Sequence, residues 1–181
     1  MTRMRVAAAL LIVVAAVAVG AVVVAQVVLA GPPARPPLPA PVAAVSNHWP
    51  YAIQLPQALP ACLRYAPGGA TIAPNDAAQG GAALLIRLAP AGKTGCAGWA
   101  DADLLIEEAP ALASLPGTVS TVSANRLEFA RSLASTGSGA PRLTLQWRCR
   151  EQMCRLGGTL SGAAGEDALL QLAASFQPAR S

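Results

Sequence analysis

The sequence predicts an α+β domain, a mainly antiparallel sheet covered by a C-terminal helix and preceded by an N-terminal transmembrane helix. Three observations predict the domain. "RLTLQWRC" (142–149) and "CRLGGTL" (154–160) alternate apolar and polar residues, the period-two signature of strands with one buried face. "GEDALLQLAASF" (165–176) spaces its apolar residues as a helix does. Between residue 50 and these segments, apolar stretches of strand length are punctuated by Gly and Pro. Strands followed by a helix able to cover them argue for an α+β arrangement.

The N-terminal elements come first. The 54% hydrophobic content misleads, because much of it is Ala and Val in one N-terminal run. Residues 6–30 carry no charge, and Gln26 is their only strongly polar side chain. As a helix they would extend roughly 37 Å at about 1.5 Å per residue, enough to cross a ~30 Å hydrocarbon core with some tilt. Arg3 and Arg5 in residues 1–5 place that end in the cytoplasm and the rest outside. A cleaved signal peptide, cut near Ala30 after Val28-Leu29, is the alternative. A signal h-region is typically ~7–15 residues, shorter than this run. Both readings export the domain, to the outer side of the cell membrane or to a secreted or periplasmic state. Residues 31–50 read as a proline-rich linker. The prolines of "GPPARPPLPAP" (31–41) favour extended polyproline II, reaching roughly 34 Å at ~3.1 Å per residue.

Residues 51–178 are left for one extracytoplasmic domain. "ACLRYA" (61–66), "GAALLIRLAP" (81–90) and "ADLLIEEAP" (102–110) read as strands. "TVSTVS" (118–123) reads as a strand too, and "RLEFARSL" (126–133) as a half-buried strand or a helix. Residues 143–149 and 154–160 form a hairpin with 150–153 as its loop. The expected register sets Cys149 opposite Cys154, Trp147 opposite Leu156, Leu145 opposite Gly158 and Leu143 opposite Leu160. In the final helix Glu166 and Asp167 occupy the first turn, where the helix dipole favours negative charge. Leu169, Leu172, Ala173 and Phe176 form its apolar stripe, and Pro178 stops it.

Leu59-Pro60, the strand ending in Glu107-Glu108, the Trp147 strand, the Gly157-Gly158 strand and the closing Ala173–Phe176 follow one order. In this order the chain resembles a small extracytoplasmic domain of unknown function found in bacterial membrane proteins. Some of those proteins are anti-sigma-factor-like, and the domain is distantly related to lipoprotein-carrier folds. The resemblance covers residues ~55–176 and implies an envelope role without catalytic residues. The cysteines depart from the usual pattern. Only residues 1–5 precede the apolar run, which leaves no sigma-binding region inside and weighs against an anti-sigma role.

Four cysteines in an exported chain point to disulfides. The hairpin selects Cys149–Cys154 and leaves Cys62–Cys96. Zinc is disfavoured because His48 is the only histidine, and a thioredoxin-type centre needs two intervening residues, not four. No cofactor is expected. "GKTG" (92–95) has Arg87 where a phosphate-binding loop needs Gly, and reads as a polar turn. "GSG" (137–139) lacks the rest of a nucleophile elbow. Asp101 and Asp103 fall short of the oxygens that calcium requires, and alternation sends Glu107 and Glu108 to opposite strand faces. His48, Trp49 and Tyr51 read as a packing lid. The net charge of +4 is too small and too poor in interleaved aromatics for a nucleic-acid binder.

The arginines remain. Arg142, Arg148 and Arg155 share the polar face of the hairpin, and Arg150 lies in its loop. In the expected register Arg148 opposes Arg155, which costs stability unless a partner compensates. The compensation comes from nearby acids such as Glu151 and the 107–108 strand, or from an anionic envelope polymer, lipid headgroups or a protein partner. The sequence therefore predicts a single-pass, membrane-anchored, disulfide-stapled domain with a non-enzymatic binding, sensing or envelope-structural role. The alternative is a secreted or periplasmic carrier of an apolar ligand such as a lipid.

Overall fold

The computed structural model describes residues 36–77, 81–92, 96, 99, 102–135, 141–159 and 164–179. The expected anchor (6–30), "GSG" (137–139), Lys93 to Gly95 and Asp101 lie outside the described residues. Among the described residues no helix is long and apolar enough to cross a membrane.

Among the described residues nine strands and two helices follow in order: α1 (Ala40–Ser46), β1 (Gln54–Pro56), β2 (Leu63–Asn75), β3 (Gly81–Pro90), β4 (Asp103–Ala109), β5 (Thr118–Ala124), β6 (Leu127–Ser135), β7 (Pro141–Cys149), β8 (Gln152–Thr159), α2 (Ala164–Ala174) and β9 (Phe176–Pro178). β2 to β8 build one sheet in the order β2-β3-β4-β8-β7-β6-β5, every pair antiparallel, and β1 pairs with β9 apart from it. The α+β expectation for the domain stands.

Alternation explains the sheet's two faces. Leu84, Ile86 and Leu88 of β3, Leu104 and Ile106 of β4, Leu156 of β8, and Leu143, Leu145 and Trp147 of β7 are all buried on one face. Leu169, Leu172 and Ala173 of α2 and Val42 of α1 belong to the same apolar core. Phe129, Trp147 and Phe176 stack edge to face at 5.3 and 5.1 Å between ring centroids, tying β6, β7 and β9 together.

Several local expectations are corrected. The stretch read as linker contains α1, which starts where Pro41 is tolerated in the first turn and whose Val42 is fully buried. The domain therefore takes in residues from before 51. α2 ends at Ala174, and Phe176 and Pro178 belong to β9, where Pro178 opposes Gln54. Residues 127–135 form a strand, not a helix. A two-residue turn joins it to β5, with Asn125 and Arg126 both at positive φ (48° and 67°), the handedness tight hairpins demand.

The β7–β8 hairpin is the main correction. Its turn is Arg150-Glu151 rather than four residues, with Arg150 at φ 62°. Cys149 opposes Gln152, Trp147 opposes Cys154, Leu145 opposes Leu156 and Leu143 opposes Gly158. The pairing differs from the expected one by two residues. A two-residue slip returns every side chain to its own face, so alternation cannot tell the two registers apart. Gly158 fits because the backbone of β4 runs against it: a Cβ there would lie 2.1 Å from the Asp103 carbonyl oxygen.

Candidate functional site

Arg142 and Arg155 line one hollow of about 150 Å³ together with Glu107, and Arg150 lines two others at the hairpin turn. Arg148 opposes Met153 and Arg155 opposes Gln146, so the like-charge opposition of the expected register does not arise. Arg155 is half-buried and committed internally. It donates to Glu107 at 3.0 Å, to Gln146 Oε1 at 2.8 and 3.2 Å, and to the Ala113 carbonyl. Ala113 belongs to the segment that crosses from β4 to β5 over the sheet face away from the helices. Ser132 holds the same segment through the Pro116 carbonyl. Arg142 is exposed opposite Thr159, Arg148 is exposed, and Arg150 is exposed at the turn. None of these three makes an ion pair among the described residues.

The structure joins Cys62 to Cys96 and Cys149 to Cys154. In the observed register the second bond runs diagonally, from the residue beside the turn to the partner of Trp147, with Cα atoms 5.8 Å apart. Asp103 makes an exposed ion pair with Arg87 at 3.6 Å. Among the described residues no three His, Cys, Asp or Glu side chains gather as a metal site. His48 is exposed, whereas Trp49 is buried edge-on to Tyr51 at 5.5 Å.

One polar centre escaped sequence reasoning. Glu108 is wholly buried on the helix-side face of β4, in line with Leu104 and Ile106. Both its carboxyl oxygens accept from the Gln54 backbone N–H, at 3.0 and 3.1 Å, and Oε2 also accepts from Gln152 Nε2 at 2.8 Å. Gln152 Nε2 donates in addition to the Ala52 carbonyl at 3.0 Å, as does Gln54 Nε2. Burial pushes the Glu108 carboxyl up to about 8, against the opposing pull of the hydrogen bonds from Gln54 and Gln152. Burial, and secondly the nearby Glu108 charge, push the Tyr65 hydroxyl up to about 12. The signal was present in part: Glu108 stands two residues after Ile106 and four after Leu104, on the face that alternation buries. Its donors come from β1 and β8, which no local pattern could supply.

The donors of this centre, Gln54 and Gln152, line a hollow at the tip of the β7–β8 hairpin. One hollow of about 210 Å³ has Tyr51, Gln54, Gln152 and both turn residues, Arg150 and the acidic Glu151, in its lining, and another of about 340 Å³ has Trp49, Tyr51, Ala52, Ile53 and Arg150. Tyr51, Ala52 and Arg150 line both. Two buried polar atoms of the lining residues, Trp49 Nε1 and Gln152 Oε1, have no hydrogen-bond partner among the described residues. Such atoms are costly to leave unpaired. Trp49 lines the larger hollow and Gln152 the smaller, and the exposed Arg150, without an ion pair among the described residues, lines both.

No protein-family model and no curated protein matches the chain. Among solved structures it is similar to "Crystal structure of MucB in complex with MucA(peri)", with 11% identity and a TM-score of 0.35. The match covers 71% of this chain and 37% of that one.

Proposed function

We propose that the chain is a membrane-tethered extracytoplasmic domain with a non-enzymatic binding role, and that it binds at the groove around Arg150. The observation that carries this reading is the pair of hollows that share Tyr51, Ala52 and Arg150, each lined by one residue with a buried, unpartnered polar atom, Trp49 Nε1 in the larger and Gln152 Oε1 in the smaller. Together they suit a small anionic ligand, such as a carboxylate next to an amide N–H. The anion meets the exposed Arg150 guanidinium that the two hollows share, with Trp49 lining the larger hollow and Gln152 the smaller. Two disulfides suit an oxidising compartment outside the cytoplasm. Glu108 is not offered as a catalytic acid: it is fully buried and both its oxygens are already hydrogen-bonded. A carrier of an apolar ligand would need the space between sheet and helix, which Leu169, Leu172 and the Phe129–Trp147–Phe176 stack fill.

Native mass spectrometry of the full chain, extracted from its own membrane in mild detergent, tests the binding role. The expected result is a small-molecule adduct on the wild type that is lost in both Trp49→Phe and Arg150→Glu. No adduct on the wild type, or one that survives both changes, sinks the reading. Protease treatment of intact spheroplasts tests export, and a domain protected from digestion would refute it.

A further inference from the structure

The two edges of the seven-stranded sheet are built differently. Edge strand β2 contains Pro67 and Pro74, which have no N–H to donate, and its pairing with β3 is irregular between Tyr65 and Ala70. Prolines and bulges keep an edge from recruiting another strand. Edge strand β5 has neither. "TVSTVSA" carries no proline and no charge, is β-branched at four positions, and pairs with β6 through seven consecutive residues without a break. Its other side has no strand neighbour among the described residues.

The side chains repeat this asymmetry. Among the described residues the exposed large apolar side chains are Val119 (51% exposed), Leu133 (44%) and Leu127 (37%), and all three lie on β5 and β6. Leu127 and Leu133 oppose Ala124 and Thr118 at the two ends of the β5–β6 ladder. One margin of the molecule therefore presents both an open row of backbone groups and the apolar surface that would flank an added strand.

We propose that β5 pairs antiparallel with β5 of a second copy of this chain about a two-fold axis, joining the two sheets edge to edge. The occupant must be an extended strand that brings no charge to an uncharged edge, and β5 itself meets that need. A two-fold axis at Thr121 sets Val119 opposite Ser123, Ser120 opposite Val122 and Thr118 opposite Ala124. Thr118, Val119 and Val122 then each face a smaller residue, Thr121 meets its own copy, and no like charges meet. The interface is independent of the groove around Arg150.

Photo-crosslinking of the full chain in its native membrane tests the pairing. p-Benzoylphenylalanine in place of Thr121, exposed on β5, is expected to give a band of twice the chain mass. The same probe in place of Thr71, exposed on β2, is not. Val119→Lys and Ser123→Lys, each at an exposed position, are expected to weaken the Thr121 crosslink several-fold with unchanged circular dichroism. If one of them unfolds, the other decides. A Thr121 probe that yields no dimer, that captures a different protein instead, or whose dimer survives the charge changes overturns the proposal.

Discussion

Glu108 shows how far a single side chain can set the behaviour of this domain. A carboxyl buried away from water keeps its proton to a higher pH than the same carboxyl in solvent. Its pKa is about 8 when folded and near the ordinary 4.5 when unfolded. The stability that follows from this difference is fully present below 4.5 and is lost as pH rises through 8, because the unfolded chain gives up its proton first. The unfolding free energy from denaturant titrations should therefore fall between pH 5 and 8, by at most about 1.4 kcal/mol per pH unit, and level off above. Glu108→Gln keeps the shape and removes the titration, so its stability should be nearly flat over that range. A variant that keeps the wild-type slope would show that another group is responsible. The Arg131–Glu166 pair acts in the opposite sense: hydrogen bonding to Arg131 lowers the Glu166 carboxyl, so its contribution fades in acid. Gly158 is the other decisive residue. Gly158→Ala forces a methyl group into the Asp103 carbonyl and should cost about 1–3 kcal/mol, read as a lower melting temperature.

At the scale of elements, the β7–β8 hairpin shows what alternation can and cannot reveal. It assigned Leu143, Leu145, Trp147, Cys149, Cys154 and Leu156 to the buried face, and they are buried. It could not choose between a two-residue and a four-residue turn, because both preserve the faces. Arg150 at φ 62° marks the shorter one, and a lone arginine carries no sequence sign of that conformation. The β5–β6 turn is similar, since Asn125 favours a left-handed backbone but Arg126 does not. Replacing Arg126 with Gly should raise stability by up to about 1 kcal/mol, measured by denaturant unfolding. The two disulfides also differ in reach. Cys62–Cys96 closes a loop with a separation of 34 residues, and Cys149–Cys154 one of only 5. By chain entropy the Cys62→Ser/Cys96→Ser pair should cost about 4 kcal/mol and the Cys149→Ser/Cys154→Ser pair about 2 kcal/mol. Equal losses would show that the longer loop is already constrained in the unfolded chain.

For the whole molecule, the α+β class was legible because strand periodicity, helix spacing and Gly/Pro punctuation agree. The groove was not legible, because Trp49, Gln54, Glu108, Arg150 and Gln152 meet only through long-range pairing. Nor was the strand order, since β4 lies beside β8 and not beside β5. That order has a consequence for how the chain acquires its structure. β4 must wait for β5, β6 and β7 before its central neighbour exists, and β1 must wait for nearly the whole domain before β9 arrives. The Glu108 cluster needs both ends at once, with Gln54 from the first strand and Gln152 from the eighth. Such distant pairings put the domain among slow folders, with structure assembled after the last strands are available rather than step by step along the chain. Until then Glu108 stands in water and ionised, so in the pH range between its two pKa values folding ends with the uptake of a proton.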